Sequence, residues 1–472
     1  MVKKSISLAI ILIVLLTAFG LDYSSVHAYA YGSDFVSTIH YQNVGNDTAQ
    51  ISIIIYDQNG IEEASAPVTN LEPGAATSIY AGTINGLSSG FKGSAVISSD
   101  QPLASVVAQV GSGAIKNQPL SSGFSEGSSS VLIPTVLKNM FFFTSVFAVQ
   151  NVDSVAADFT LRFVTTTGTQ INKTVPDVQP FASRLFDMGQ IPEITTTTFN
   201  GSVVIDSVRN GTTTPGSIVA TSMELENAGF NAYAFDGAAN TGTTVYMPSA
   251  VCKFGPNNDS TTAYAVQNTN ATSVQVTVTY SNGNVDGPHT LAGYAKRSFD
   301  GCHAGNPNGF LGSAVVTATG DVHAVGKVYG GGLYPAHLAF LSGESKVGLP
   351  FIRWTESQWY NGVRQRSYIA IQNIGSSNIP SGQVTVTYYD KNGNAVGSHT
   401  LGAIPVGGKV NSHPHHIGSA GFEFGYYTDG SQGGGAIVEG PNGSQLAVVV
   451  RVQKYTGNGT SVGEDYTGIP IP

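Results

Sequence analysis

The sequence predicts an all-β chain: four tandem antiparallel β-sandwich domains of immunoglobulin-like layout behind a signal peptide. Three observations carry this expectation. A motif recurs four times at domain spacing, apolar residues alternate with period two, and sustained helical periodicity is absent after the first twenty-odd residues. The copies read IHYQNVGNDTAQISIIIYDQNG (39–60), FAVQNVDSVAADFTLRFVTTTG (147–168), YAVQNTNATSVQVTVTYSNG (264–283) and IAIQNIGSSNIPSGQVTVTYYDKNG (369–393). Each places Gln-Asn at the end of an alternating stretch, then a polar loop, a second alternating stretch and a Gly.

Successive Gln residues, Gln42, Gln150, Gln267 and Gln372, stand 108, 117 and 105 residues apart. That spacing far exceeds the 20 to 50 residues of solenoid repeats, so each copy is domain-sized. Ahead of the first copy, Lys3 and Lys4 precede an apolar run from about Ile6 to Leu21, and Ala28 and Ala30 offer two cleavage sites. This is the pattern of a secretory leader, and no later apolar run approaches the roughly 20 residues that span a bilayer.

Within each unit the landmarks keep their order. In Val274, Val276, Val278 and Tyr280, interleaved with Gln275, Thr277 and Thr279, one face is apolar and the other hydroxylic, as in a half-buried strand. A small-residue strand follows: GFKGSAV (90–96), FNGSVV (199–204), GFLGSAV (309–315) and a degenerate GGAIV (434–438). Then comes an apolar run, SVVAQV (105–110), SIVATS (217–222), HAVGKV (323–328) or LAVVVRV (446–452), and a Pro-capped strand, VLIP (131–134), VYMP (245–248), VGLP (347–350) or TGIP (467–470). Several short strands per unit, separated by turn signals, predict sandwiches over 29–134, 135–248, 249–350 and 351–472 after a leader at 1–28.

Composition narrows the setting. Charged residues make up 11% of the chain, against about 25% in ordinary soluble domains. With 41% hydrophobic residues it does not read as disordered. The formal charge is −9 and the basic residues are scattered, so a nucleic-acid partner is not expected.

Both cysteines, Cys252 and Cys302, fall in the third unit, and in an exported chain one such pair reads best as a disulfide, the alternative being two buried thiols. A metal site is disfavoured because neither has a second cysteine at ligand spacing. Gly-x-Ser-x-Gly occurs around Ser88, Ser125 and Ser461, but none has the following helix that a nucleophile elbow requires. No catalytic residue, cofactor or metal is therefore assigned. The acidic turns at Asp57 and Asp390 could offer oxygens to calcium, yet the second and third copies lack the carboxylate, and a hairpin turn explains all four.

One ligand surface is a candidate. RWTESQWYNGVRQR (353–366) holds both tryptophans, Trp354 and Trp359, with Tyr360, Arg353, Arg364 and Arg366. Exposed aromatics beside Arg could bind a glycan or an acidic surface; the plainer reading is a decorated hairpin covering the sandwich. His413, His415 and His416 follow without a defined partner set for a metal.

VLIPTVLKN (131–139), AVQN, VTVTYYDKNGN and GFKGSAVISSDQPLASVV (90–107) together resemble the tandem β-sandwich repeats of bacterial extracellular and cell-surface proteins. The resemblance implies secretion, modular sandwiches and a surface or adhesive role, and it transfers no catalytic residue. The expectation is a non-enzymatic structural or adhesive protein, extracellular or at the cell surface. Its partners would be cell-surface or extracellular-matrix components, glycans among them. The alternative is a polysaccharide-binding accessory chain. Head-to-tail self-association is a further expectation. If each Pro strand belongs to the following unit, the first unit has an open edge and GIPIP (468–472) is a spare strand; if each completes its own unit, neither is left over.

Overall fold

The computed structural model describes residues 11–15, 35–88, 90–111, 117–229, 231–255, 259–357, 363–456 and 461–471. It is all-β, with 59% of residues in strands and 3% helical, and its strands form seven sheets. Alternation in sequence becomes alternation in burial: along Ala49–Asp57 the side chains of Ile51, Ile53 and Ile55 are buried while Gln50 is exposed.

One strand pattern recurs with each Gln-Asn copy. The second alternating stretch (Ala49–Asp57, Ala157–Thr165, Val274–Tyr280, Thr385–Tyr389) lies between its hairpin partner and the small-residue strand. The Gln-Asn strand (Phe35–Asn43, Phe143–Asn151, Thr261–Asn268, Val363–Asn373) lies between a short strand and the apolar strand. Core residues of the two groups pack together, as Ile39 and Tyr41 do with Ile51, Ile53 and Ile55. In the third copy the small-residue and apolar strands are one 20-residue strand, Phe310–Tyr329, which joins both groups in a seven-stranded sheet.

The linker strands at the Pro landmarks pair with the repeat that follows them. Ser130–Lys138 pairs with Phe199–Arg209, Gly242–Cys252 with Phe310–Tyr329, and Lys346–Leu349 with Gly435–Glu439. Pro134 and Pro248 sit inside their strands rather than capping them, at shifts of register that absorb the missing donor. In the first repeat the corresponding edge, Gly93–Ile97, pairs with Ile11–Leu15. The alignment matches: Leu15 stands opposite Gly93 as Val136 stands opposite Gly201.

The C-terminal strand is not spare, which corrects that part of the self-association expectation. Ile469–Pro470 pairs with Lys346–Leu349, and the Ile471 N–H donates to the Lys346 carbonyl at 3.0 Å. Its apolar side chains explain the docking, since Ile471 is buried with Val44, Ala104 and Ile437.

Four short strands, Leu120–Ser122, Ala232–Asp236, Ala336–Leu338 and Ser461–Thr467, touch one another in cyclic order. The Ser122 N–H donates to Asp236 Oδ2 at 3.1 Å, the Ser122 hydroxyl to the Thr467 carbonyl at 3.1 Å, and His337 Nδ1 lies 3.2 Å from Asp465 Oδ2. The first and last repeats therefore meet, and the chain closes on itself as a ring.

Candidate functional site

Each Asn of the Gln-Asn pair is a loop clamp. The Asn151 amide donates to the carbonyls of Val155 (2.9 Å) and Val178 (2.8 Å), and its oxygen accepts the Asp153 N–H at 2.9 Å. Asn43, Asn268 and Asn373 each bond the i+2 N–H, the i+4 carbonyl and a carbonyl at the end of the hairpin partner or just beyond it in the same way. All four are almost wholly buried.

Three of the four Gln residues bond a turn at a seam, and Gln267, equally buried, leaves both side-chain polar atoms unpaired. Gln42, Gln150 and Gln372 donate to the carbonyls of Gly74 (3.0 Å), Phe181 (2.9 Å) and Gly407 (3.1 Å). Those three residues and Tyr294 all have left-handed backbone, with φ of 77°, 61°, 72° and 59°. The turn they form meets the preceding repeat around the ring. Phe181 stacks on Tyr56 at 4.8 Å and its carbonyl also accepts the Ser94 hydroxyl at 3.1 Å. Tyr294 lies under the Arg162 guanidinium at 4.8 Å, and the Gly407 carbonyl accepts the Ser313 hydroxyl at 2.9 Å. At the closing seam a Cβ on Gly74 would come within 2.5 Å of the Tyr389 ring, so only glycine fits. The degenerate fourth landmark has the same cause: a Cβ on Gly435 would stand 2.8 Å from Gln42 Cδ.

The candidate ligand residues of the fourth repeat are dispersed. Trp354 is 4% exposed and Arg353 1% exposed, so neither is a surface platform; Trp359 and Tyr360 lie outside the described residues. Arg353 belongs to the closing seam. Its guanidinium donates to the Ile352 carbonyl at 2.8 Å and lies 5.0 Å from the Phe351 ring, which stacks on His40 at 4.0 Å. Burial, then Arg353, pushes the His40 imidazole well below its ordinary range. Arg364 lies 5.7 Å over the Tyr455 ring.

Trp354 and Arg366 instead join the histidines. Trp354 stacks on His413 at 4.6 Å, the Arg366 guanidinium lies 4.8 Å over its ring, and its indole N–H donates to Glu356 Oε2 at 2.9 Å. His415 Nδ1 lies 3.1 Å from the same oxygen. That indole bond, and then His415, hold the Glu356 carboxyl below its usual range. His413 stacks on His416 at 3.8 Å, and His416 on His399 at 4.0 Å. Burial, then the neighbouring His416, His415, His399 and Arg366, bring His413 down to about 4. Stacked rings lie in separate near-parallel planes, which does not direct their nitrogens to one ion, and among the described residues no group of three His, Cys, Asp or Glu could hold a metal.

Cys252 and Cys302 are disulfide-bonded, with Cα atoms 5.0 Å apart. The acidic turns are spent on backbone: Asp57 Oδ1 accepts the N–H groups of Asn59 and Ile61, both at 2.8 Å, and Asp390 Oδ1 those of Asn392 (2.8 Å) and Asn394 (2.9 Å). No described helix is long and apolar enough to cross a membrane.

Buried charge near the ring centre escaped the sequence reading. Asp236 is pushed up to about 7 and Glu464 to about 8, both by burial. Glu224 pairs with Lys327 across the second seam at 2.7 Å, and Lys296 reaches the Thr135 hydroxyl at 3.0 Å, its ammonium brought to about 7 by burial and then by Lys327. The available signal was a charged residue at an inward position of a strand in a chain with few charges.

No protein-family model matches the chain, and no curated protein sequence matches it. Among solved structures it is similar to a tetra-tandem repeat in the extending region of a large adhesion protein. That likeness has 13% identity over 95% of this chain and 97% of the other, with a TM-score of 0.11. It is also similar to Streptomyces avermitilis alpha-L-rhamnosidase complexed with L-rhamnose, at 7% identity over 89% of this chain and 54% of the other, with a TM-score of 0.14. At such TM-scores neither likeness carries an argument here.

Proposed function

We propose that the protein is an exported, non-enzymatic structural or adhesive component of the cell exterior. In this reading four immunoglobulin-like β-sandwich domains follow a cleaved leader and close into a ring. The observation that supports it is the fate of the repeated polar residues: Asn43, Asn151, Asn268 and Asn373, with three of the four Gln residues, bond backbone carbonyls inside the molecule. What recurs is spent on building loops and seams, and no acid, base and nucleophile set recurs beside it. The polysaccharide-binding alternative asks for exposed aromatic platforms at matching places in several repeats, and the covered Trp354 speaks against it. Antibody labelling of intact cells and of culture supernatant tests the proposal. Surface or supernatant label is expected; protein confined to the cytoplasm with its N-terminus intact would overturn it.

A further inference from the structure

At every seam of the ring the linker strand serves two repeats. It completes the sheet of its own repeat and also touches the next one: Ser130–Lys138 against Thr261–Asn268, Gly242–Cys252 against Val363–Asn373, and Lys346–Leu349 against Leu103–Gly111. In the first repeat this place is taken by Ile11–Leu15, which pairs with Gly93–Ile97 and touches Ile218–Glu226 of the second repeat. These five residues lie within the leader.

We propose that, once the leader is cleaved, the edge Gly93–Ile97 becomes a binding site for an extended apolar segment of another polypeptide, which enters as the missing linker strand. The proposal rests on reading residues 1–28 as a cleaved leader. Two walls define the site. One is the free backbone of Gly93–Ile97, a row of donors and acceptors that needs a partner. The other is the neighbouring strand Ile218–Glu226 of the second repeat, whose Val219 is buried in one cluster with Val96 of the edge itself.

The mature chain is too short to fill the site itself. Cleavage after Ala28 or Ala30 leaves six or four residues ahead of Phe35, while the second repeat uses four residues merely to turn from Lys138 to Phe143. The three filled sites define the chemistry of the occupant. VLIPTVLK, VYMPSAVC and KVGL are extended, mostly apolar and carry charge only at an end. A partner segment of that kind adds main-chain bonds along the edge and buries alternate side chains against the second repeat.

The test is amide hydrogen exchange on residues 29–472, with and without a synthetic peptide of residues 130–138 (SVLIPTVLK) as probe. Of the Gly93–Ile97 amides, those not bonded to Ala49–Asp57 should exchange fast in the free protein and slow by at least about tenfold with saturating peptide, with no change for a scrambled peptide. Slow exchange of those edge-facing amides without peptide, or no slowing with it, overturns the proposal. N-terminal sequencing of the exported protein separates the two readings. A start at Tyr29 or Tyr31 is expected. A chain that keeps residues 11–15 overturns the leader reading, and the binding site with it, whatever the peptide does.

Discussion

Asn151 and Gln150 are neighbours, but they carry different weight. Asn151 makes three backbone bonds, two of them to carbonyls; Gln150 makes one and leaves its Oε1 unpaired, as Gln42 and Gln372 do, while both side-chain polar atoms of Gln267 are unpaired. Asn151→Ala should therefore cost roughly 2–4 kcal/mol in urea denaturation, and Asn151→Asp a similar amount because a carboxylate cannot donate. Gln150→Met should cost less, about 1 kcal/mol or below, because it also removes a buried unsatisfied oxygen. Titrations of opposite sign, one of the half-buried His413 and one of the buried Asp236 and Glu464, bracket the stable pH range. His413 is held near 4, so its neutral form is native; the unfolded chain takes up the proton first, and stability falls as pH drops from 6.5 through about 4. Asp236 and Glu464 are raised, so their contribution is lost as pH rises from the ordinary carboxylate range through about 7 to 8. Relative to the parent, His413→Gln should flatten the acid limb of the urea midpoint against pH, and Asp236→Asn the alkaline limb.

Strands were the most legible elements. Period-two stretches such as Val274–Tyr280 announce themselves, because one buried face dictates every second residue. The linker strands were half legible: apolar sequence marked them, but Pro134 and Pro248 read as caps, since a bulge that tolerates proline inside a strand depends on the partner's register. The role of GIPIP was not legible, because its partner, Lys346–Leu349, lies more than a hundred residues upstream. Removing residues 468–472 tests that pairing. It strips Ile469 and Ile471 from the closing seam, so the melting temperature should fall by several degrees while light scattering gives an unchanged mass. A change of oligomeric state without loss of stability would restore the spare-strand reading.

For the whole molecule the decisive contacts are those between repeats, and these were invisible in the sequence. Nothing in Tyr56 or Phe181 alone says that they stack, nor that His40 meets Phe351 some three hundred residues on. Trp354 left two readings open for the same reason: an aromatic residue in a polar stretch serves as a platform or as a cover, and its neighbours His413 and Arg366 decide for the cover. The closing seam makes the first and fourth repeats interdependent. Gly74→Val, which drives a side chain into Tyr389, should destabilise both together, seen as faster exchange of Phe35–Asn43 and of Thr385–Tyr389 alike. Small-angle scattering of residues 29–472 tests ring closure most directly. A closed chain of this length has a radius of gyration of about 22 Å, as expected for one compact body. A value roughly twice that, from four domains strung end to end, would contradict it.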